Sequence, residues 1–245
     1  MTVLIIAFLA SLIPAVIIYI WLRDHMFRHD QEYKSFCRRS LLKGMLSTFL
    51  VILFSGSLSL LGNAVLFRES RGLLYTAYRT FIVLALAEEA AKYITFRRLL
   101  KKSESPYSAL DMISSMILVR LGFEILESGV YALTTSPGQM LVRGVTAMHA
   151  GYGFIMGYFM AKNRLTGKKS QAVLGFMIPA LLHGAYDFGL SDEFAQLGDT
   201  TAILSVTLAA FALVTLIWMF LFTRKARMNP VYTDCLPAEE PAADN

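Results

Sequence analysis

The stretch Phe81–Phe96, FIVLALAEEAAKYITF, decides the fold, because it is apolar enough to cross a membrane and still carries charge. Glu88, Glu89 and Lys92 stand within it. On insertion scales each ionisable side chain at mid-bilayer costs about 2.5–3.5 kcal/mol, so three facing lipid would cost on the order of 8–10 kcal/mol. Glu88 and Lys92 are four residues apart and can pair. Glu89 has no such partner in its own helix, so it needs one on another helix or a water-filled cavity.

The composition predicts an all-α integral membrane protein. Of its 245 residues 56% are hydrophobic, and the mean hydropathy is +0.53. Seven windows are long enough to span a bilayer. They are about Thr2–Leu22, Gly44–Phe67, Leu73–Phe96, Pro106–Tyr131, Gln139–Ala161, Gln171–Leu190 and Thr201–Phe222.

The basic residues predict the orientation of the chain. They collect in alternate loops: Arg23–Lys43, Arg97–Lys102, Lys162–Lys169 and Arg224–Arg227. By the positive-inside rule this distribution predicts seven spans with the N-terminus outside and the C-terminus in the cytoplasm. The net charge of +5 is therefore a topology signal, and no nucleic-acid partner is expected.

The chain is expected to form one transmembrane domain over residues 1–228, followed by a disordered cytoplasmic tail over residues 229–245. The first, second and seventh spans contain no charged residue, whereas the third to sixth all do. Polar side chains must face the interior of a bundle. The sequence therefore predicts a polar four-helix core over about residues 73–190, surrounded by three apolar helices.

The fourth span carries Arg120, Glu124 and Glu127 on one helical face. Arg120 and Glu124 can neutralise each other, and a structural ion pair is the favoured interpretation for these two. Glu127 is left over and is expected to find its partner on another helix. Gly122 and Gly129 lie seven residues apart, where they would let a neighbouring helix approach closely.

The fifth and sixth spans each contribute a histidine. His149 precedes a stripe of small residues that includes Gly153 and Gly157, which favours close packing and a fixed imidazole. His183 and Asp187 stand four residues apart on one face, so the carboxylate can orient the ring. One intramembrane histidine is typical of a packing residue; a second one favours a functional site.

Six residues on four helices are the candidate catalytic groups: Glu88, Glu89, Glu127, His149, His183 and Asp187. Carboxylates beside imidazoles suit either general-base activation of water or ligation of a divalent metal. The sequence has no His-Glu-x-x-His zinc motif and no Gly-x-Ser-x-Gly frame. The Gly-x-Gly-Asp motif of presenilin-type proteases is also missing, because Phe154 follows Gly151–Gly153.

These residues occur in an order that resembles the PrsW intramembrane proteases, relatives of the type II CAAX prenyl proteases and of bacteriocin-processing enzymes. The resemblance covers about residues 73–190 and rests on four motifs. They are Glu88-Glu89-x-x-Lys92, Gly122-Phe123-x-x-x-Glu127-x-x-x-Tyr131, Arg143 followed by His149, and His183-x-x-x-Asp187. The chain departs from the family at Ser128 and Asp187, where the family usually has asparagine.

The resemblance implies a hydrolase of the prokaryotic plasma membrane that cleaves a single-pass membrane protein, with anti-sigma factors as the known type of substrate. The expected partners are such a substrate and the lipid bilayer. The residues alone indicate only a membrane site that can activate water.

Two ways of activating water remain open on the sequence. In a metal mechanism His149 and His183 would ligate zinc together with Glu88 or Glu89. In the metal-free mechanism that the CAAX relatives imply, Glu88 and His149 act as the base, and His183 stabilises the oxyanion. The absence of a motif that fixes two ligands on one helix favours the metal-free version.

A proton- or ion-coupled transporter or sensor is the alternative from another class, because buried glutamate, histidine and lysine also build proton relays. Transport would predict inverted repeats, and the sequence contains none. Cleavage of a single-pass substrate would discriminate between the two functions.

Overall fold

The computed structural model describes residues 2–25, 31–67, 72–101, 107–134, 148–196 and 198–235, and within these ranges it is helical. Ser108 and Cys235 form an isolated antiparallel bridge there, and no strand is present in the same ranges. Arg143 lies outside the described residues. The helices are α1 (Thr2–Ser11), α2 (Ile13–His25), α3 (Gln31–Leu61), α4 (Leu73–Ala77), α5 (Ala87–Lys101), α6 (Ala109–Thr134), α7 (Met148–Thr166), α8 (Lys169–Gly189), α9 (Asp192–Ala195), α10 (Asp199–Ala226) and α11 (Pro230–Thr233).

Helix α6 is the centre of the bundle. Every residue from Ala109 to Glu124 is buried, with Arg120 fully enclosed. Helices α3 and α7 pack along it on two sides, and α1, α2, α5 and α11 also contact it, whereas α8 and α10 pack against α7. A helix with this burial all round needs its polar groups paired inside the protein.

Small residues set the close approach of the neighbouring helices to α6. A Cβ atom at Gly122 would overlap the backbone of Leu41 in α3, and one at Gly44 would overlap the backbone of Val119. On the other side, a Cβ at Gly157 of α7 would stand 2.9 Å from the Cα of Ile113. The predicted close packing is confirmed at Gly122 and along α7.

The prediction for Gly129 is wrong. A Cβ atom built there meets nothing within 4 Å, since this part of α6 lies near the end of the bundle where the packing opens.

Hydroxyl pairs fix the register of α3 on α6. Tyr33 Oη lies 2.5 Å from Ser114 Oγ, and Ser40 Oγ lies 2.8 Å from Ser115 Oγ. All four residues are buried, so each hydroxyl would lose a hydrogen bond if the helices slid along each other. Both contacts come from the part of α3 that precedes the predicted second span, and they tie this end of the helix to α6.

Leu73–Lys101 forms one uninterrupted helical segment, in which the π-helical stretch Tyr78–Leu86 joins α4 to α5. Its 29 residues correspond to a length of about 43 Å at α-helical rise. The π-helical stretch ends two residues before Glu88. Such stretches are rare in proteins, and those that do occur often lie beside functional sites.

Three described helical segments are long and apolar enough to cross a membrane by length and composition: Ile5–His25, Gln31–Leu66 and Lys169–Gly189. All three carry large exposed apolar side chains, among them Ile6, Phe49 and Leu181. The other four spans and the orientation stay predictions.

The predicted tail over residues 229–245 is described as far as Cys235. Residues Pro230–Thr233 form α11, and the Tyr232 ring stacks edge-on against Phe222 at 5.3 Å between centroids. Residues 236–245 lie outside the described ranges.

Candidate active site

The charges of Phe81–Phe96 belong to a buried ion network between α5 and α6. Lys92 Nζ lies 2.9 Å from Glu88 Oε2 and 3.5 Å from Glu89 Oε1, and the Glu88–Lys92 pair is the one the spacing predicts. Arg120 reaches across from α6 and donates to both oxygens of Glu89, with Nη1 to Oε1 at 2.9 Å. The two carboxylates are therefore balanced by two cations, and Lys92, Glu89 and Arg120 have no solvent exposure.

The expectation for Arg120 is wrong: its partner is Glu89 and not Glu124. Within a helix the favoured order places the acid on the N-terminal side of the base, and Arg120–Glu124 has the reverse order. The planar guanidinium also matches a carboxylate that faces it across two helices, where both N–H groups can donate. The statement that Glu89 has no partner in its own helix is also wrong, because Lys92 lies within reach.

His183 of α8 stands against this network. Its Nδ1 lies 3.1 Å from Glu89 Oε1, and its Nε2 lies 3.4 Å from Asp187 Oδ2 and 3.8 Å from Glu88 Oε2. Carboxylate oxygens therefore face both ring nitrogens, which fixes the ring plane and holds its N–H groups toward acceptors. The predicted orienting contact of Asp187 is present.

His149 of α7 pairs with Glu127 of α6, and its Nε2 lies 2.8 Å from Glu127 Oε2. Glu127 thus finds its partner on another helix, as predicted. Because the carboxylate accepts from Nε2, the other nitrogen, Nδ1, is left as an acceptor. Nδ1 is buried, and no hydrogen-bond donor among the described residues reaches it.

The two histidines meet beside a small, partly open cavity with space for a water molecule. Their ring centroids are 5.7 Å apart in an edge-to-face arrangement. Nine residues line the cavity: Glu124, Glu127, Ser128, Met148, His149, Tyr152, His183, Tyr186 and Asp187. The structure therefore brings four of the six candidate residues to one cavity, and Glu88 and Glu89 lie directly behind His183.

Tyr152 is one of three cavity residues, with Met148 and Tyr186, that were not singled out from the sequence. Its ring stacks on His183 with centroids 5.7 Å apart, and its buried hydroxyl has no hydrogen-bond partner among the described residues. The signal was available, because Tyr152 stands three residues after His149, and Tyr186 stands three residues after His183. Residues three apart share a helical face, so each tyrosine accompanies its histidine.

The cavity lies closer to one end of the bundle than to the other. The cavity residues Glu127 and His183 stand about 27 Å and about 21 Å from the helix ends at Ala109 and Lys169, given 18 and 14 residues at 1.5 Å each. Glu127 and His183 stand about 10 Å from the opposite ends at Thr134 and Gly189. In the predicted topology these nearer ends face the outside of the cell.

The four candidate zinc ligands do not fit a metal in this arrangement. Lys92 and Arg120 occupy the oxygens of Glu88 and Glu89 that face the histidines, and cations at these oxygens oppose ligation of a second cation. His149 Nε2 is taken by Glu127, so this residue could reach a metal only through Nδ1. Within the described ranges, no group of three or more histidine, cysteine, aspartate and glutamate side chains is arranged to hold a metal.

Comparison with known proteins identifies relatives over most of the chain. The family described as "PrsW family intramembrane metalloprotease" matches residues 34–221. Protease PrsW of Clostridioides difficile (strain 630) is 29% identical over 199 residues, which are 76% of this chain and 80% of that relative.

Protease PrsW of Bacillus subtilis (strain 168) is 28% identical over 186 residues, covering 72% of this chain and 78% of the relative. Protease PrsW of Oceanobacillus iheyensis is 31% identical over 153 residues, covering 61% and 66%. No solved structure matches the chain. The chain belongs to the PrsW family of intramembrane proteases, hydrolases embedded in a bacterial cell membrane.

Proposed function

We propose that this protease cleaves single-pass membrane proteins of the anti-sigma-factor type, with water activated by the Glu127–His149 pair. The observation that carries the proposal is the buried acceptor Nδ1 of His149, which lacks a protein partner among the described residues beside a cavity with room for water. A histidine that has a carboxylate at one ring nitrogen and a free lone pair at the other is arranged as a general base.

The first half of the reaction uses this base. The oxygen of a water molecule attacks the scissile carbonyl carbon while a water proton passes to His149 Nδ1. Glu127 holds the Nε2–H during the transfer and stabilises the imidazolium that forms. The carbonyl oxygen becomes an oxyanion, which needs hydrogen-bond donors that are already in place.

Two cavity residues supply such donors. The Tyr152 hydroxyl is buried without a partner in the described part of the chain. His183 is held at Nδ1 by its hydrogen bond to Glu89, so its Nε2–H, which makes no hydrogen bond to the described residues, is the group that donates to the oxyanion. In the second half of the reaction, His149 returns its proton to the amide nitrogen as the C–N bond breaks. The products are a carboxylate and an amine.

Glu88 and Glu89 act through other groups in this scheme. Glu89 is bound by Arg120, Lys92 and His183, so it is a positioning residue for the ring of His183. Glu88 is held by Lys92 and stands 3.8 Å from His183 Nε2. The scheme differs from the sequence-based one, which pairs Glu88 with His149. No step passes through a metal, although the matching family is described as one of metalloproteases.

The experiment is co-expression of the chain with a single-pass anti-sigma-type protein tagged at both ends, followed by mass spectrometry of the fragments. We expect the scissile bond about 10 Å inside the outer end of the substrate helix, matching the depth of the cavity. The proposal would be contradicted if no protein in a panel of such substrates were cleaved, or if the cleaved bond lay in the cytoplasmic third of the substrate helix.

A further inference from the structure

A groove between α3 and α5 has no residue in common with the active-site cavity. Nine residues line it: Phe36, Arg39, Lys43, Leu46, Ser47 and Leu50 from α3, and Thr95, Arg98 and Leu99 from α5. We name it the basic groove, because its charged lining residues are all cations.

The cations lie together, and no described residue is an anionic partner of any of them. Arg39, Lys43 and Arg98 are exposed, and among the described residues none of them forms an ion pair. Arg39 and Lys43 stand four residues apart on one face of α3, and Arg98 faces them from α5. Three like charges around one cavity repel each other unless an anion lies between them.

The rest of the groove is mainly apolar. Leu46, Leu50 and Leu99 line it beyond the cations, and Leu46 is 51% exposed. From Arg39 to Leu50 the groove extends 11 residues along α3, which is about 16 Å. The leucine-lined part alone, from Leu46 to Leu50, is about 6 Å long on α3, which accommodates the carbons of an acyl chain nearest the head group.

We propose that the basic groove binds one anionic phospholipid, with its phosphate between Arg39, Lys43 and Arg98 and an acyl chain along Leu46 and Leu50. The three cations complement a phosphodiester, and the apolar lining complements a hydrocarbon chain, so an amphipathic anion satisfies both parts. Basic pockets between transmembrane helices on the cytoplasmic side recognise such head groups. In the predicted topology, the charged ends of α3 and α5 both face the cytoplasm.

An acidic segment of this chain is the competing occupant. Glu239 and Glu240 follow Cys235, whose backbone bridges to Ser108. The neighbouring Tyr107 stacks on the groove residue Phe36 with ring centroids 6.4 Å apart, so the segment begins near the groove. The segment contains few apolar residues, so it would leave the leucine-lined part of the groove unfilled. A lipid fills both parts and is the occupant that the lining favours.

The test measures retention of dioleoyl phosphatidylglycerol and dioleoyl phosphatidylcholine on the purified full chain by native mass spectrometry. We expect the wild-type chain to retain one phosphatidylglycerol in preference to phosphatidylcholine. The triple variant Arg39→Gln/Lys43→Gln/Arg98→Gln should bind phosphatidylglycerol about 10- to 100-fold more weakly. The single variant Lys43→Gln should show a smaller loss, and Leu46→Ser should weaken retention without any change in charge.

The matched control is Arg224→Gln/Lys225→Gln/Arg227→Gln, which removes the same charge from exposed cations outside the groove. It should retain phosphatidylglycerol like the wild type; an equal loss would overturn the proposal in favour of general surface attraction. Displacement of the lipid by millimolar glycerol phosphate would indicate a site for the free anion and would also overturn it. Lipid retention that appears only in Glu239→Gln/Glu240→Gln would assign the groove to the acidic segment instead.

Discussion

Glu89 and Glu127 are both buried carboxylates, yet their surroundings give them different roles. Glu89 has no solvent exposure and is held by Arg120, Lys92 and His183. Glu127 lines the cavity and contacts His149. A carboxylate that balances two buried cations supports the fold, whereas one that holds a histidine beside a water-sized space supports chemistry.

We predict that Glu89→Gln lowers the free energy of unfolding by about 3–5 kcal/mol, because it leaves the guanidinium of Arg120 buried without its counter-charge. Thermal unfolding in detergent measures the change. The double variant Glu89→Gln/Arg120→Met should be more stable than Glu89→Gln alone, since the unpaired charge is removed. The single variant Arg120→Met completes the comparison. If the loss of stability in the double variant equalled the sum of the losses in the two single variants, the pairing would be contradicted.

We predict that Tyr152→Phe reduces kcat about 10²- to 10³-fold with little change in KM, because it removes one donor to the oxyanion. The hydroxyl has no hydrogen-bond partner among the described residues, so its loss should leave the unfolding temperature nearly unchanged. The control is Tyr158→Phe on the same helix, whose ring packs on Trp218 and Phe222 away from the cavity. Equal rates in the Tyr152 variant and the control would remove Tyr152 from the mechanism.

Individual contacts were predictable where spacing along one helix determines them. The Glu88–Lys92 pair and the contact of Asp187 with His183 follow from residues four apart. The need of Glu127 for a partner on another helix also followed from the sequence. That this partner is His149, and that Arg120 binds Glu89, depends on how three helices rotate about their axes, which one sequence does not specify.

At the level of helices, glycines decide how closely α3 approaches α6. We predict that Gly122→Ala destabilises the protein, because the added methyl group would overlap the Leu41 backbone and push the two helices apart. Gly129→Ala on the same helix is the matched control, as its Cβ would meet nothing within 4 Å. The control should be neutral or up to about 1 kcal/mol more stable through helix propensity. Thermal unfolding of both variants measures the difference, and equal stability would contradict the packing.

The axial register of α3 on α6 was less predictable than the close packing of these helices. Small residues at regular spacing indicate close approach, and this is what α7 shows at Gly153 and Gly157. The hydroxyl pairs Tyr33–Ser114 and Ser40–Ser115 join residues more than 70 positions apart. Serine is common in membrane helices and has no periodic signature, so only the packed structure identifies these pairs.

At the level of the whole molecule, composition alone marks only part of the membrane domain. Within the described ranges, three helical segments are apolar enough to span by themselves, and one of them is α8 with His183 and Asp187. Helices α5 and α6 are not among them, because they carry charges whose ion pairs are satisfied inside the bundle.

We predict the topology from the basic loops and expect cysteine labelling to follow it. In a variant without native cysteines, single cysteines in the loops Arg97–Ser103 and Asn163–Ser170 should react from the cytoplasmic side. A cysteine in place of Thr134 should react from the outside. Labelling of the Thr134 position only from the cytoplasm would reverse the orientation and, with it, the depth assigned to the cavity.

The central claim is that Glu127 and His149 activate water without a metal, and cleavage by the purified chain in liposomes tests it most directly. A single-pass substrate is followed by gel after exhaustive chelation, with wild type, Glu127→Gln and the exposed-histidine control His25→Gln. We predict that chelated wild type and His25→Gln cleave at the untreated rate, while Glu127→Gln is about 10²- to 10⁴-fold slower. Loss of wild-type cleavage on chelation with rescue by zinc, or full activity of Glu127→Gln, would contradict the account.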